Sequence, residues 1–430
     1  MKWPLLILWG SLAVVSGGAA TFHCDPVKGG PDGDGSAERP WGRIEEVVAA
    51  GRIRFYDAEG RCANPSAPCG PGDTLLLRSG WHGVIHIRRG YNERPITIAA
   101  EPGHTPQVGW VEIDEGANWV VRGLAISPSL APQPLERPPP YLVMLGEHGG
   151  EQSHDLVIED CFVYTALDSS KWGAAEWLHA ANGIWLGRRG RGHAARNNYV
   201  LNTRFGIALC APGCVAEGNV VANFSADGIR ITRDEQAARF NVVKNVFVSA
   251  RDGDPNHDDG IQAFLFNVGR GTLRKAVVEG NIILERETDG LPLPNSLQGI
   301  GFFDGPLVEF VVRDNVVGVT AYHGITLGDA RDCLIEGNTC YGANPTAGRP
   351  WIMVGRKRRD PVGNTVRNNW APAFHLKDDA QVKAENNRKA THAIFAQRLE
   401  ALADRINKLY GAVHPVARRP RLEPRRKRGG

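Results

Sequence analysis

The chain has 430 residues, 42% of them hydrophobic and 23% charged, with a formal charge of +3. That charge is unevenly placed. Residues 418–430 hold seven Lys/Arg against one Glu, so the rest of the chain is slightly acidic and no nucleic-acid partner is expected. Fifty-one Gly, 28 Pro and only three Met point to many short strands joined by turns, and away from a helical bundle.

In chain order, the first element is an export signal over residues 1–20. Lys2 supplies the positive start, Leu5 to Val15 the apolar stretch, and Gly18-Ala19-Ala20 the small-residue cleavage site. No later stretch reaches membrane-spanning length, so the expected product is secreted or periplasmic, with no integral membrane segment. Eight cysteines (Cys24, Cys62, Cys69, Cys161, Cys210, Cys214, Cys333, Cys340) form an even set in a chain bound for an oxidising compartment. Disulfides are therefore expected, with Cys62/Cys69 and Cys210/Cys214 as local staples and Cys24 tied to Cys161. A zinc site is the weaker reading, since no C-x-x-C pair occurs.

Residues 21–79 read as an amino-terminal cap with the first strands, including a short helix from Ile44 to Ala50 that ends at Gly51. From residue 80 to 372 two short patterns alternate. One is a polar or aromatic residue, then Gly, then Ile: Asn182-Gly183-Ile184, Phe205-Gly206-Ile207, Asp227-Gly228-Ile229, Asp259-Gly260-Ile261, Gln298-Gly299-Ile300 and His323-Gly324-Ile325. The other is an apolar strand leading to Asn, as at Asn219, Asn245, Asn281, Asn315 and Asn338. Repeats at roughly 21 to 39 residues mean stacked supersecondary units. Period-two strands bury Ile and Val on one face, and Asn tolerates the left-handed conformation of a tight corner, so the five Asn residues should stack as an internal ladder. The expected fold is all-β, a single-stranded right-handed parallel β-helix. The amino-terminal helix should cover one end of the stack. An amphipathic helix at 388–411, with Phe395, Leu399, Leu402, Ile406 and Leu409 recurring by fours and threes, should cover the other. Residues 412–430 form a basic tail.

The spacing and the Asn turns resemble the pectate-lyase-like superfamily. Asp32-Gly33-Asp34-Gly35-Ser36, Gly72-Asp73-Thr74-Leu75-Leu76-Leu77-Arg78 and Pro95-Ile96-Thr97-Ile98-Ala99-Ala100-Glu101-Pro102-Gly103 resemble the opening coils of alginate-lyase and chondroitinase-B type polysaccharide lyases. The resemblance covers about residues 22–370 and implies an extracellular polysaccharide as substrate. The Lys/Arg pair and the Asn/Glu/Glu metal ligands of chondroitinase-type lyases are not assembled in this sequence.

The densest polar segment runs from Arg251 to Gln262. If Ile261 points inward, Gln262 points outward, as does Arg230 one coil earlier, and Asp227 and Asp259 occupy equivalent corners roughly 5 Å apart. His323 takes that corner two coils later. Three readings follow. In a lyase, Arg230, Arg251 or Lys244 would neutralise a uronate carboxylate while His257 or His323 exchanges the proton. In an inverting glycoside hydrolase, the carboxylates would act as a pair. The order Asp227, Asp258-Asp259, His323-Gly324 resembles polygalacturonase motifs, although an extra coil separates Asp259 from His323. In the structural reading, Asp-Gly is only a turn.

Asp252-x-Asp254-x-Asn256-x-Asp258 alternates oxygen donors as Ca²⁺ loops do, without the Gly and terminal Glu of an EF-hand. The insertion around Trp172, Trp177, Trp185 and Arg188 mixes aromatics with cations, suited to stacking on sugar rings. Together these features favour a monomeric lyase acting by β-elimination on an acidic polysaccharide, with a polygalacturonase-type hydrolase or a non-catalytic carbohydrate-binding or envelope protein as alternatives.

Overall fold

The computed structural model describes residues 19–136, 138–148, 152–265, 271–287, 290–304, 306–342, 350–376 and 381–411. The expected export signal before residue 19 and the basic tail after 411 lie outside the described residues. The chain winds through three long parallel sheets of 13, 12 and 11 strands, visited in rotation, so that each coil adds one strand to each sheet. This is the parallel β-helix anticipated from the repeats. It starts earlier and ends later than the 80–372 boundary: Thr21–Cys24 and Thr74–Leu77 are its first rungs, and Val382–Glu385 and Arg388–Lys389 its last.

The 11-stranded sheet shows why the Gly-Ile pattern repeats. Ile184, Ile207, Ile229, Ile261, Ile300 and Ile325 pair in register and are buried one above another. The glycines before them lie so close to the next coil that a Cβ on Gly206 would fall 2.3 Å from the Gly228 carbonyl oxygen, and one on Gly299 would fall 2.2 Å from that of Gly324. Any side chain there would pry coils apart.

The internal ladder forms, with a different membership. Asn198, Asn219, Asn241, Asn281, Asn315, Asn338, Asn369 and Asn387 are linked in one run. Each Oδ1 accepts from the backbone N–H and the side-chain amide of the preceding rung, at 2.9–3.1 Å. Asn245 is not in it. The rung of its coil is Asn241, while Asn245 stacks with Asn202 and Asn223 in a separate short run. Nor do the ladder residues take the left-handed conformation. The residue before each does so, as with Gly218, Phe240, Gly280, Asp314 and Gly337, which leaves the Asn backbone regular and its amide aligned with the axis.

The expected disulfides are absent: all eight cysteines are free thiols. Cys210 faces an outer cluster with Tyr141 and Trp185 while Cys214 faces the main core, so the two point to opposite sides of the wall. Cys161 sits on the ladder line, where it accepts from the Leu124 N–H and its own N–H donates to Asn198, far from a pairing with Cys24. Cys62 is exposed and Cys69 buried. Burial pushes the Cys161, Cys210 and Cys214 thiols up to about 12, as for thiols in an apolar setting.

Helix α1 (Ile44–Ala49) buries Ile44 and Val47 at the amino-terminal end, as expected. Helix α2 (Ala174–Leu178) lies in the insertion. Helix α3 (His392–Tyr410) does not cover the far end. It lies along the flank of the 12-stranded sheet, with Phe395, Leu399, Leu402 and Ile406 against Phe240, Val242, Ile282, Leu284 and Val316. At 1.5 Å per residue its 19 residues reach about 28 Å, or roughly six coils. Its last residue, Tyr410, donates to Glu217 at 2.7 Å. The reason is the double apolar rows of that sheet, such as Ile282-Ile283, whose outward members need cover.

Candidate functional site

The outer face of the 11-stranded sheet gathers most of the expected site. Arg230 and Gln262 are register partners and point outward from adjacent coils. Asp227 and Asp259 lie at the start of their coils, joined by a 3.1 Å bond from the Asp259 N–H to Asp227 Oδ1. Arg230 Nε donates to Asp227 Oδ2 at 2.7 Å, and its guanidinium lies 3.6 Å from the Phe205 ring centroid. Asp259 Oδ2 accepts from Gln262 Nε2 at 3.1 Å and lies 3.2 Å from His257 Nδ1. Its other oxygen, Oδ1, is buried without a hydrogen-bond partner and sits over Gly301, where a Cβ would fall 1.9 Å away.

Exposure divides this group sharply. The Asp227 and Asp259 side chains are 0% exposed and Arg230 is 14% exposed, whereas His257 is 57% exposed. Burial, opposed by His257, pushes the Asp259 carboxyl up to about 7, and neighbouring Asp227 adds to the rise. Burial also raises Asp227, against the pull of Arg230. These two carboxylates back the site and do not line it. Of the two histidines in the expected catalytic set, His257 is the more exposed and His323 is half-buried.

His323 arrives at the same corner column two coils on, across the strand Gln298–Asp304. Its Nδ1 lies 2.9 Å from Thr326 Oγ1, and burial, then the charge of His257, lowers its pKa to about 4. It is therefore neutral at physiological pH. It sits in an aromatic group that the sequence reading missed: Tyr322 at 4.3 Å, Phe303 at 4.7 Å and Trp351 at 5.2 Å between ring centroids, with Trp351 in turn 4.5 Å from His375. Tyr322 is 54% exposed. The available signal was phase, because Trp351 is the register partner of His323.

The acid-rich segment divides. Asp252 serves its own turn: Oδ2 accepts from Ser249 N–H at 2.9 Å and Ser249 Oγ at 2.8 Å, so the expected first position of the Ca²⁺ loop is a cap. Asp254, Asn256 and Asp258 do converge. Asn256 Nδ2 donates to Asp258 Oδ1 at 3.0 Å, Asn295 donates to Asp258 Oδ2, and the buried Asp254 Oδ2 has no hydrogen-bond partner. Burial raises Asp258 well above the usual carboxylate range, and Asp227, Asp254 and Asp259 push it further. Arg251 is exposed on the preceding turn. Lys244 lies on the 12-stranded sheet, paired with Glu287 at 2.8 Å, and takes no part.

Two of the three tryptophans expected to stack on sugar, Trp177 and Trp185, are buried, and Trp172 is part-buried. Trp177 is buried, stacked on Phe247 at 4.3 Å, with Trp172 edge-on to it at 4.8 Å. Trp185 is buried against Tyr141 and donates to Glu147, which also holds Arg188. Trp172 and Trp177 pack the insertion against Phe247, whereas Trp185 lies in the same outward row as Arg230 and Gln262, two coils before Arg230.

No family profile and no curated protein matches the chain. Among solved structures it is similar to a mannuronic acid specific polysaccharide family 6 lyase from human gut microbiota, at 12% identity over 91% of this chain and 99% of that one, TM-score 0.47. It is similar to pectate lyase Pel9A, at 12% identity over 88% and 82%, TM-score 0.46. It is also similar to a GH136 lacto-N-biosidase from Eubacterium ramulus, at 13% identity over 86% and 68%, TM-score 0.46. At these identities the likeness is one of fold.

Proposed function

We propose that the protein is an exported enzyme that cleaves an acidic, uronate-containing polysaccharide by β-elimination, with His257 as the base. The observation that carries this reading is the exposure contrast. His257 faces solvent while the Asp259 carboxylate behind it is fully buried within 3.2 Å of Nδ1. With the Nδ1 proton turned to Asp259, Nε2 carries the lone pair, and Asp259 stabilises the imidazolium once a proton is taken. His257 would remove the proton at C5 of the uronate. The C5–H electrons form the C4–C5 double bond, the C4–O bond breaks, and the leaving oxygen takes the proton of the exposed Tyr322 hydroxyl, since His323 is neutral. A hydrolytic carboxylate pair has to flank the scissile bond, and two side chains without exposure cannot do so.

A substrate carboxylate next to the departing proton needs a cation. Arg251 is exposed six residues before His257. Asp254 and Asp258 would hold Ca²⁺, and the buried, unpartnered Asp254 oxygen among mutually repelling acids fits such an ion. When bound it would supply positive charge toward the uronate.

The test is a panel of uronate polysaccharides, read separately for unsaturated products and for reducing ends. Unsaturated product from wild type, reduced at least about 100-fold in His257→Ala, is the expected result. Reducing ends without unsaturation would assign hydrolysis, and binding without turnover would assign a carbohydrate-binding protein.

A further inference from the structure

Far from this site, toward the amino-terminal end of the same sheet, three donors meet that no part of the proposed reaction uses. His86 and Glu112 are register partners on the adjacent strands Ile85–Ile87 and Val111–Ile113, and Asp114 follows immediately after the second strand. One ligand atom from each lies within 4.8 Å of the others. His86 Nε2 is 3.3 Å from Asp114 Oδ2 and 3.9 Å from Glu112 Oε2. Donors bound to one small divalent ion at about 2.0–2.2 Å in a tetrahedron lie roughly 3.3–3.6 Å apart, so the set is nearly at coordination distance.

Arg88 Nε lies 3.6 Å from Asp114 Oδ2, one guanidinium against two carboxylates. Asp114 Oδ1 is buried with no partner. Arg88 Nε donates to His86 Nε2 at 3.3 Å, which requires a lone pair on that nitrogen. The same nitrogen then directs its lone pair at the Asp114 oxygen 3.3 Å away. Protonating Nε2 mends the contact with Asp114 but sets two N–H groups against each other at Arg88. A cation seated between the three donors removes both conflicts.

We infer that His86, Glu112 and Asp114 form a binding site for a divalent first-row transition metal of the Zn²⁺ class, with Arg88 occupying its mouth in the metal-free protein. One imidazole and two carboxylates suit such an ion better than Ca²⁺, which prefers six or more oxygens. Three protein donors leave a coordination position for water. The Arg88 side chain is 75% exposed and can leave without disturbing the core.

The test uses tag-free, chelator-treated full-length protein at neutral pH, titrated calorimetrically with Zn²⁺ and, in parallel, with Co²⁺ followed by visible absorption. One equivalent should bind and raise the thermal midpoint. His86→Ala and Glu112→Gln should each weaken binding at least tenfold, the latter serving if the former folds poorly. Arg88→Ala should strengthen it several-fold, because that side chain competes for the same lone pair. Asp258→Asn should leave the titration unchanged, which separates this site from the acid-rich segment of the proposed active site. Absence of binding, or binding that survives both His86→Ala and Glu112→Gln, would overturn the inference and leave an ion pair only.

Discussion

Two columns of buried polar side chains run along this solenoid, and they are built on opposite terms. In the asparagine ladder every amide is neutral and matched: Asn281 donates to Asn315 and Ala238 and accepts twice from Asn241. In the column through Asp227 and Asp259, charged groups are crowded, two carboxylate oxygens lack partners, and the acids are pushed upward. The ladder repeats coil after coil, whereas Asp227 and Asp259 occupy two successive corners, and both acids are as buried as Asn281. A fully satisfied network rigidifies a fold, whereas a partly satisfied one stores electrostatic free energy that a bound charge or proton can release. Repetition alone therefore does not mark function; incomplete satisfaction does.

The largest expected effect lies in the ladder. Asn281→Ala deletes four hydrogen bonds, strands the buried backbone and side-chain donors of Asn241 and takes a donor from both Asn315 Oδ1 and the Ala238 carbonyl, so urea unfolding should show a loss on the order of 4 kcal/mol. A loss below about 1 kcal/mol would erase the contrast between the columns.

The acid column should behave in the reverse way. Asp259→Asn should reduce turnover at least about 100-fold while leaving the fold intact. Its effect on stability has a defined pH course. The Asp259 carboxyl stands at about 7 in the folded chain against its ordinary value of 3.8, so between these pH values the folded state holds more protons. Wild-type stability therefore falls as pH rises through that window, and the full cost is present above pH 7. In Asp259→Asn this falling limb disappears, and the variant's advantage in thermal midpoint should grow from pH 4 to 7.

His323 has the opposite sign. Its pKa falls from 6.5 to about 4, so the unfolded chain holds more protons in that range and wild-type stability rises with pH. His323→Gln should gain most near pH 4 and nothing by pH 6.5. Thermal midpoints measured for the two variants across this range would separate the limbs. Parallel curves for both would mean that neither group titrates as its surroundings require.

The smallest effect belongs to a polar pair that is repeated but wet. Arg122 and Glu159 bridge adjacent coils with Arg122 52% exposed. Arg122→Ala should change stability by less than about 1 kcal/mol, as surface ion pairs do.

How much was legible beforehand differs between scaffold and site. The stack, the Gly-Ile rows, the outward pairing of Arg230 with Gln262 and the helix at His392–Tyr410 all follow from local periodicity, because strand alternation and coil register are short-range properties. Asn245 was misassigned because Val242-Val243-Lys244-Asn245 imitates the motif of its neighbours. Only the register of the coil shows that Phe240-Asn241 is the true rung. The position of helix α3 on the flank, the opposite facing of Cys210 and Cys214, and the packing of Trp177 were decided by which gap each side chain met.

The sequence by itself thus determined the repeat, the fold and the face on which the chemistry was sought. Burial and distance between coils were decided only by the tertiary structure. His257 and Asp259 are two residues apart and look equivalent as candidates in the chain, yet one is exposed and the other fully enclosed. His86 and Glu112 are 26 positions apart, with nothing local to link them, and become register partners when their coils stack. Solvation and through-space charge depend on neighbours brought in by the next turn of the solenoid, and no pattern within one turn encodes them.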